Sequence, residues 1–478
     1  MKLSIYPADL KRKLLQENVS SRKHPKGAII ETIETWAGHT ANGDKNKMEY
    51  RKDEQAAFNG LTEEKWQKLM EFPTPSYVID EEQLRKNGEV LLDVQKRTGC
   101  KILLAQKAFS NFGVYPMLAS YLAGTEASGL YEARLGKTKM PSGECHVFCG
   151  AYKKSEFEEL LQYADHIVFN SPAQLKKYGQ RAKQAGKSIG LRINPECSTQ
   201  DGHEIYDPCA PGGRLGTTRE AWNRAMDEEL VSMLDGIHFH TLCEQNADAL
   251  EITLNAVEEK FGDILRQVKW LNMGGGHHIT KEGYDRELLI KCIERMQKKY
   301  ELEIYLEPGE AVALNAGYLV SEVLDIVKNG SIINLILDMS AACHTPDVIE
   351  MPYLPPVMNG ISGSVEEAIA NDSKENRGEE KQSLECSNAD DSRKYMHRYR
   401  LGGPTCLSGD VVGDYSFEVE LLIGDKIVFG DMAIYTTCKN NTFNGMKLPD
   451  IYLLKEDGSM ECLASFGYED FECRLGKG

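Results

Sequence analysis

Eight short apolar runs, separated by helix-like stretches, constrain the fold of this chain more than any other feature of its sequence. The stretches between them, such as ADALEITLNAVEEKFGDILRQ, repeat apolar residues every three or four positions, as amphipathic helices do. Eight is the number of strands that closes a parallel (β/α)8 barrel, and a doubly wound open sheet is the competing architecture. The sequence favours an α/β, TIM-like barrel whose strands are KILLA (101–105), GTEAS (124–128), HVFCG (146–150), HIVFN (166–170), SIGLRIN (188–194), GIHFH (236–240), VKWLNM (268–273) and EIYLEP (303–308).

The pattern changes after Ala311. Apolar runs joined by Gly and Asp turns, such as INLILDMSA, DKIVFGDMAIYTT and DIYLLK, predict a C-terminal all-β domain over residues 312–478. Within it, residues 361–395 are acidic and of low complexity, which is typical of a disordered insertion. The first residues, 1–72, are polar and weakly patterned. We therefore expect an N-terminal extension there, followed by the barrel over 73–311.

The composition limits the partners that the chain can bind. Its 478 residues carry a formal net charge of −17, which would repel nucleic acid and anionic membrane surfaces and attract cationic partners. The 13 cysteines include no C-x-x-C pair, and the sequence has neither a secretory signal pattern nor an apolar run long enough for a membrane helix. We expect a cytoplasmic protein with reduced thiols, no nucleic-acid partner and no membrane association.

Chemically useful residues follow several of the predicted strands. The strand ends of a barrel open on one face, where the active sites of such proteins are built. Each residue is weak evidence alone, because a lone histidine is more often a core residue and a glycine triplet is usually a turn. Together they bring an amine, an imidazole, a glycine loop that could bind a phosphate, and carboxylates to one opening. Strand by strand they are Lys107, His240, the triplet Gly274, Gly275 and Gly276, and finally Glu307 and Glu310.

This set of groups suits pyridoxal phosphate. The cofactor needs a lysine to hold its aldehyde, backbone N–H groups free of side chains to bind its phosphate, and an acid beside its pyridine nitrogen. A flat side chain packed on the ring would keep it in place. Lys107, if half withdrawn from water, would be a good nucleophile. We interpret it as a reactive amine, in a site that could also serve only to store the cofactor.

Ten long motifs run through the chain: LLAQKAFS, SGLYEARLG, LRINPE, YDPCAPGGRLG, HFHTLCEQN, WLNMGGGHHIT, YLEPGEAVALNAGY, HTPDVIEMPY, YRLGGPTCLSGDVVGDY and MAIYTTCKNNTFNG. In type and order they resemble the motifs of the carboxynorspermidine (carboxyspermidine) decarboxylase family, which belongs to the alanine-racemase-like, fold-type III enzymes. The resemblance covers about residues 73–360 and 396–455. It implies a pyridoxal phosphate-binding (β/α)8 barrel with a C-terminal all-β domain, a homodimer, and decarboxylation of carboxynorspermidine to norspermidine and of carboxyspermidine to spermidine.

The resemblance also implies roles for individual residues. Lys107 matches the lysine that carries the cofactor, His240 the histidine that stacks on its ring, and Glu307 the acid at the pyridine nitrogen. The other matches are Gly274, Gly275, Gly276 and Tyr435 for the phosphate, Cys406 for protonating the product carbon across the dimer, and Asp410 in the same donated loop for the substrate.

Glu310 and Asp347 are the candidates for recognising the substrate. Many related decarboxylases have a basic residue after Pro-Gly that helps bind phosphate, whereas this chain has Glu310, whose carboxylate would repel phosphate. A polyamine carries ammonium groups, so we expect both acids to pair with them. Asp347 could instead be a turn or cap residue, and Gly129 stands where the family often has serine, which is a mild departure.

Three other interpretations remain open. A racemase or another amino-acid decarboxylase could use the same scaffold, although Glu310 argues against a small substrate. A non-catalytic carrier would bind pyridoxal phosphate and release no carbon dioxide, and the long β domain with Cys406 argues against it. A metal centre built from His277, His278 and nearby cysteines lacks a ligand-spaced motif, so no metal is expected.

Overall fold

The barrel predicted from the apolar runs is present, and it is closed. A computed structural model describes residues 56–58, 61–200, 207–362 and 397–476. Eight parallel strands follow one another around the barrel in chain order, and their bounds agree with the predicted runs to within about two residues. They are β2 (Lys101–Ala105), β3 (Gly124–Ala127), β4 (Glu144–Phe148), β5 (His166–Phe169), β6 (Ser188–Arg192), β7 (Gly236–His238), β8 (Trp270–Asn272) and β9 (Glu303–Leu306).

Helices carry the chain from the end of each strand back to the start of the next. Several begin at a residue whose side chain accepts a hydrogen bond from the first helical turn, as Asp80, Ser171 and Asp285 do. They are α1 (Glu63–Glu71), α2 (Glu81–Thr98), α3 (Tyr115–Leu118), α4 (Leu130–Lys139), α5 (Lys154–Tyr163), α6 (Pro172–Gln184), α7 (Arg219–Ala225), α8 (Glu228–Ser232), α9 (Ala247–Leu265), α10 (Arg286–Tyr300) and α11 (Glu310–Ala313). In the described part of the chain, none of these helices is both long and apolar enough to cross a bilayer.

Large side chains fill the interior of the barrel. Leu103, Val168, Trp270 and Tyr305, from four different barrel strands, form a buried cluster. Such a packed interior leaves no channel, so the useful opening lies at the carboxyl ends of the strands. The polar residues described below lie at those ends.

The second domain is a mixed sheet. Its strand order is β12-β14-β13-β11-β10-β1-β16-β17, and β15 also pairs with β10. The strands are β1 (Ser76–Asp80), β10 (Gly317–Asn329), β11 (Ile332–Leu337), β12 (Gly360–Ser362), β13 (His397–Gly402), β14 (Val411–Phe417), β15 (Lys426–Phe429), β16 (Asp450–Leu454) and β17 (Met460–Ala464). Short helices interrupt it: α12 (Ala341–His344), α13 (Asp347–Glu350), α14 (Thr436–Lys439) and α15 (Tyr468–Glu472).

The sheet domain takes chain from both sides of the barrel, which corrects the predicted boundary at residue 72. Strand β1 precedes the barrel but pairs in parallel with β16 and antiparallel with β10. Leu69 of α1 and Phe72 pack in the same apolar cluster as Val78 of β1 and Val428 of β15. The boundary was wrong because a short apolar run indicates a strand but not the strand with which it pairs. The predicted insertion falls almost wholly outside the described residues, as does most of the N-terminal extension.

Candidate active site

Lys107 stands in the turn directly after β2, at the open end of the barrel. The turn is fixed by two backbone hydrogen bonds, from Ala108 N–H to Ala105 O (3.1 Å) and from Gln106 N–H to Glu126 O (3.1 Å). The lysine side chain is exposed, not half-buried as the sequence suggested. Burial is the main reason that the pKa of His240 lies well below its usual value, and the Lys107 ammonium adds to the effect. The amine therefore lies near the strand ends around the mouth.

Glu307 is the best-fixed carboxylate in this mouth. It follows β9 directly and is buried. Its Oε1 accepts a hydrogen bond from Asn272 Nδ2 (2.5 Å), and its Oε2 lies 3.0 Å from His238 Nε2. Burial alone would raise the pKa of Glu307, but the contacts with His238 and Asn272 outweigh it and hold the pKa well below the usual range. Glu307 is therefore an ionised carboxylate with a fixed orientation.

His240 is held by the glycine triplet. The backbone N–H of Gly275 donates to His240 Nδ1 at 3.0 Å, and Arg192 Nη2 donates to the carbonyl oxygen of His240 at 3.1 Å. Because Nδ1 accepts and the pKa is lowered, the ring is neutral and carries its proton on Nε2. The ring is thus fixed in both orientation and tautomer.

The glycine triplet lets three neighbouring loops approach closely. Gly276 has φ +82°, and a Cβ there would lie 2.0 Å from the carbonyl oxygen of Leu242. A Cβ on Gly275 would lie 2.5 Å from the carbonyl oxygen of Glu307. Any side chain would therefore push the loop away from both β7 and β9. The bare backbone fits a group that must come close to it, such as a phosphate.

Two further charged residues lie in the mouth that sequence reasoning did not single out. Glu126, at the end of β3, is buried, and its Oε2 has no hydrogen-bond partner in the described part of the chain. Burial and the negative charge of Glu307 raise its pKa. Arg192, at the end of β6, is also buried, and its guanidinium lies 4.6 Å from the ring centre of Phe148. The strand ends thus bring two acids, Glu126 and Glu307, and two cations, Lys107 and Arg192, to the mouth of the barrel.

Three carboxyl groups gather on one side of the mouth. Glu310 begins α11, and its Oε2 lies 3.4 Å from His278 Nε2. Burial and the charge of Asp431 raise the pKa of Glu310 to about 7. The charge of Glu310 is the main cause that raises the pKa of Glu244, at the exposed rim, to about 7. Burial raises that of Asp431 to about 6. A cation bound among these groups would relieve their mutual repulsion.

Asp347 has a partner within the chain. The Lys439 ammonium contacts Asp347 Oδ1 and lies 2.9 Å from Glu350 Oε2. The negative charge of Asp347 still contributes to the raised pKa of Glu310, after burial and Asp431. Asp347 therefore lies near the carboxyl group of Glu310, but its charge is already balanced by a lysine.

Tyr435 comes to the barrel mouth from the sheet domain. Its backbone N–H donates to Ala108 O at 2.8 Å, which ties it to the residue that follows Lys107. It has φ +54°, a conformation that costs energy for a residue with a side chain. Burial raises its pKa well above the usual value, and Glu310 acts in the same direction. The tyrosine hydroxyl is therefore a neutral donor.

Cys406 and Asp410 occupy one loop of the sheet domain, and Asp410 is fixed by its own chain. Cys406 is exposed, whereas Asp410 is 4% exposed. The Asp410 carboxylate accepts hydrogen bonds from Ser340 Oγ (2.9 Å), from Thr405 Oγ1 (2.6 Å) and from the backbone of α12. Its oxygens are thus held by its own chain, and the carboxylate anchors the loop; its expected role in substrate binding stays a prediction.

The residues that the sequence missed have a common signal. They are polar residues inside or at the ends of predicted strands, where an apolar residue would be expected. Reading every strand end, and not only four of them, would have found Glu126 and Arg192, whereas His238 and Asn272 are the last residues of two strands whose following loops had already been read. Glu244 and Asp431 lie on loops with positive φ, and nothing in a single sequence marks them.

Comparison with known proteins gives a consistent picture. A family model described as pyridoxal-dependent decarboxylase, C-terminal sheet domain, matches residues 76–433. Carboxynorspermidine/carboxyspermidine decarboxylase of Campylobacter jejuni is 43% identical over 404 residues, which are 84% of this chain and 98% of the relative. Carboxyaminopropylagmatine decarboxylase of Synechocystis sp. is 36% identical over 410 residues, 86% of this chain and 97% of the relative.

Solved structures agree. Carboxynorspermidine decarboxylase from Campylobacter jejuni, crystallised with norspermidine, aligns with a TM-score of 0.72 and 40% identity over 84% of this chain and 100% of the other. Diaminopimelate decarboxylase from Helicobacter pylori aligns with a TM-score of 0.65 at 18% identity over 85% of this chain and 97% of the other, which shows the fold alone. These matches confirm the predicted fold class and cofactor. Since relatives this similar align over almost their whole length, the chain belongs to the carboxynorspermidine/carboxyspermidine decarboxylase family, whose members are pyridoxal phosphate-dependent carboxy-lyases.

Proposed function

We propose that this enzyme decarboxylates carboxynorspermidine or carboxyspermidine and releases norspermidine or spermidine, a step of polyamine biosynthesis. One observation carries the proposal: the cluster of Glu310, Glu244 and Asp431, with raised pKa values, lies at the same mouth as Lys107. The reaction needs the amine of Lys107 to hold the cofactor, and a polycationic substrate needs the carboxyl cluster to bind its ammonium groups. The names of the relatives with 43% and 36% identity support the same substrate class.

The cofactor would use the groups that the barrel fixes most firmly. Lys107 would hold the aldehyde carbon, the ionised carboxylate of Glu307 would keep the pyridine nitrogen protonated, and the fixed ring of His240 would pack against the cofactor ring. The bare backbone of Gly274–Gly276, together with Tyr435, would receive the phosphate. When bound, the cofactor supplies the electron sink for the pair left behind by carbon dioxide.

The carboxyl cluster would orient the substrate. Its acids attract the ammonium groups of a polyamine and repel the single carboxylate, so the carboxylate is directed away from them and towards the cofactor. Removing the ammonium groups from water next to partly buried acids makes each contact stronger than a surface ion pair. Glu310 would make the main contact because its carboxylate lies within 4.8 Å of both Glu244 and His278. Asp347 would contribute a more distant charge, since Lys439 already pairs with it.

After carbon dioxide leaves, the substrate carbon must receive a proton. We propose a homodimer in which the partner subunit's Cys406 supplies it, with Lys107 as the alternative donor. One feature supports the dimer: Cys406 is exposed in the single chain, as a residue that acts in the site of a second copy must be. Asp410 would keep the loop in the shape that reaches the second copy.

Carboxyaminopropylagmatine is a second candidate substrate. The relative from Synechocystis sp. is named for a carboxylated polyamine that ends in a guanidinium group. A pair of neighbouring carboxylates, such as Glu244 and Glu310, would also bind a guanidinium well.

Product analysis by mass spectrometry tests the proposal. The enzyme loaded with pyridoxal phosphate is incubated separately with carboxynorspermidine, carboxyspermidine, carboxyaminopropylagmatine and diaminopimelate, with Lys107→Ala as the inactive control. We expect a product one carbon dioxide lighter from one or both of the first two, and none from diaminopimelate. Cofactor binding without carbon dioxide release from any compound would indicate a carrier. Inversion of the stereocentre without loss of mass would indicate a racemase. Preference for diaminopimelate would contradict the proposed substrate class.

A further inference from the structure

His238 is a buried histidine that contacts the proposed pyridine acid and that the proposed function has not used. It ends β7, two residues before His240, and is 1% exposed. Its Nε2 lies 3.0 Å from Glu307 Oε2. Asn272 donates to the other carboxylate oxygen, Oε1, at 2.5 Å. Two residues from adjacent strands therefore hold the two oxygens of one carboxylate.

The protonation of this pair follows from its surroundings. In a neutral ring the proton lies on Nε2, where Glu307 Oε2 accepts it, and not on Nδ1. The other ring nitrogen, Nδ1, is buried and has no hydrogen-bond partner among the described residues. A second proton there would leave a buried N–H without an acceptor, which is costly. The geometry thus favours one neutral tautomer.

The charged groups around His238 act in the same direction. Burial lowers its pKa more than the contact with Glu307 raises it, and the cations of Arg192 and Lys107 lower it further. The ring of Phe148 stacks on the imidazole, with centroids 5.5 Å apart and planes 20° from parallel. The Arg192 guanidinium lies over Phe148 in turn. The imidazole is thus held in place by packing as well as by its hydrogen bond.

We infer that His238 is a positioning residue for the cofactor: as a neutral imidazole it donates one hydrogen bond that orients the Glu307 carboxylate without cancelling its charge. An imidazolium in this position would form an ion pair with Glu307, and less of the negative charge would remain for a pyridine N–H. The inference rests on the proposed function of Glu307, and it adds the residue that keeps that carboxylate both aligned and anionic.

Two polar substitutions separate positioning from simple packing. In His238→Gln the amide nitrogen reaches about as far as Nε2, so the hydrogen bond to Glu307 can form, whereas in His238→Asn it reaches only as far as Nδ1. Pyridoxal phosphate is titrated into each apo-protein without substrate, and its Kd is measured by absorbance. We expect His238→Gln to bind within about threefold of the wild type and His238→Asn to bind at least about tenfold more weakly. Equal affinities for the two variants would overturn the inference.

His146→Gln is the matched control. His146 is also a buried barrel histidine, but it contacts Glu144 near the amino ends of the strands. Its removal therefore breaks neither of the two hydrogen bonds that hold Glu307, which come from His238 and Asn272. It should change the thermal stability of the apo-protein without changing the Kd of the cofactor. A weaker Kd in this control, equal to that of His238→Asn, would mean that any buried histidine matters and would overturn the positioning role.

A measurement on the wild type covers the case in which His238→Asn does not fold. Solid-state NMR of the holoenzyme labelled with 15N-histidine, with His238→Gln to assign the signal, should show a neutral ring protonated at Nε2 at neutral pH. An imidazolium signal would overturn the inference. Neither measurement includes substrate, so a failure of the carboxylated polyamine to react would count against the proposed function and leave this result unaffected.

Discussion

Three carboxyl groups beside Lys107 lie closer together than their charges favour. The pKa of Glu310 and that of Glu244 are raised to about 7, and that of Asp431 to about 6, by burial and by one another. A raised acid pKa means that the folded protein holds these negative charges at a cost. Glu244 and Asp431 also have positive φ angles, near +53°. Charge repulsion and backbone strain at the same place are typical of a binding site.

Neutralising the cluster should weaken polyamine binding more than it slows the chemistry. We expect Glu310→Gln and Asp431→Asn to raise KM about tenfold or more with a smaller change in kcat, because each removes a partly buried ion pair. Asn tolerates the positive φ of residue 431, so the substitution changes charge without backbone strain. Steady-state kinetics with the preferred polyamine measures both constants.

The same groups predict the pH dependence. As pH falls through about 7 and then 6, the three acids take up protons while the polyamine stays cationic, so KM should rise in the wild type. The rise should be smaller in Glu310→Gln. Glu244, His278 and Glu310 have ligand atoms within 4.8 Å of one another, close enough for a metal ion, so kinetics after chelator treatment are the control. If Glu310→Gln and Asp431→Asn both had the KM of the wild type, the cluster would be excluded as the ammonium site.

Glu310→Gln should also stabilise the enzyme in the absence of substrate. An acid whose pKa is about 7 when folded and 4.5 when unfolded binds more protons in the folded state between these values. Folding stability is therefore lost as pH rises from about 4.5 to 7, and the full cost is present above 7. Removing the charge should raise Tm at pH of about 8 by a few degrees, on the order of 1–3 kcal/mol. The gain should shrink at pH of about 5, and an equal gain at both would contradict the explanation.

At the scale of strands and helices, the sequence predicted the elements better than their partners. All eight barrel strands were predicted from short, mostly apolar runs, because strands of a parallel barrel are buried on both faces. The run DKIVFGDMAIYTT was predicted as one strand, but β15 ends at Phe429. Left-handed backbone at Asp431 and Tyr435 turns the chain towards the barrel mouth. Propensity alone does not reveal such a turn, since tertiary contacts impose it.

Part of the candidate site could be predicted, because the residues that follow barrel strands meet at one end of the barrel. Lys107, His240 and Glu307 directly follow strands, and the closed barrel brings their loops to one end. His238 and Asn272 lie within strands, and only the register between β7 and β8 shows that they are neighbours. A single sequence contains no information on register beyond which face is apolar. The contacts of Glu307 with them could therefore not be predicted.

The loop that carries Cys406 depends on one aspartate. Asp410→Ala would remove the acceptor for Ser340, Thr405 and the first turn of α12. We expect kcat to fall at least about tenfold while pyridoxal phosphate still binds, because several buried hydrogen bonds that shape the loop are lost. Asp414→Ala is the matched control, since Asp414 pairs with Arg400 on the same two strands, outside the loop. Similar losses of kcat in both variants would point to general damage to the sheet.

At the scale of the whole molecule, the two domains contribute to one site. The barrel provides Lys107, Glu307 and Glu310, and the sheet domain provides Asp431 and Tyr435. The backbone hydrogen bond from Tyr435 to Ala108 joins the two directly beside the lysine. The net charge of −17 gives the whole surface an attraction for polycations. The association of substrate should therefore weaken as salt is added.

Mixing two variants with separate defects, each expected to be inactive alone, tests whether the site also spans two copies of the chain. Lys107→Ala lacks the amine, and Cys406→Ala lacks the thiol in the exposed loop. In a symmetric dimer with shared sites, a mixed dimer has one site with both defects and one with neither. Random exchange makes about half of the dimers mixed, so activity should return to about one quarter of the wild type. If Cys406 served the site of its own chain, each site would keep one defect, and mixing would restore nothing. Release of carbon dioxide from the preferred polyamine, measured before and after subunit exchange, decides between these outcomes.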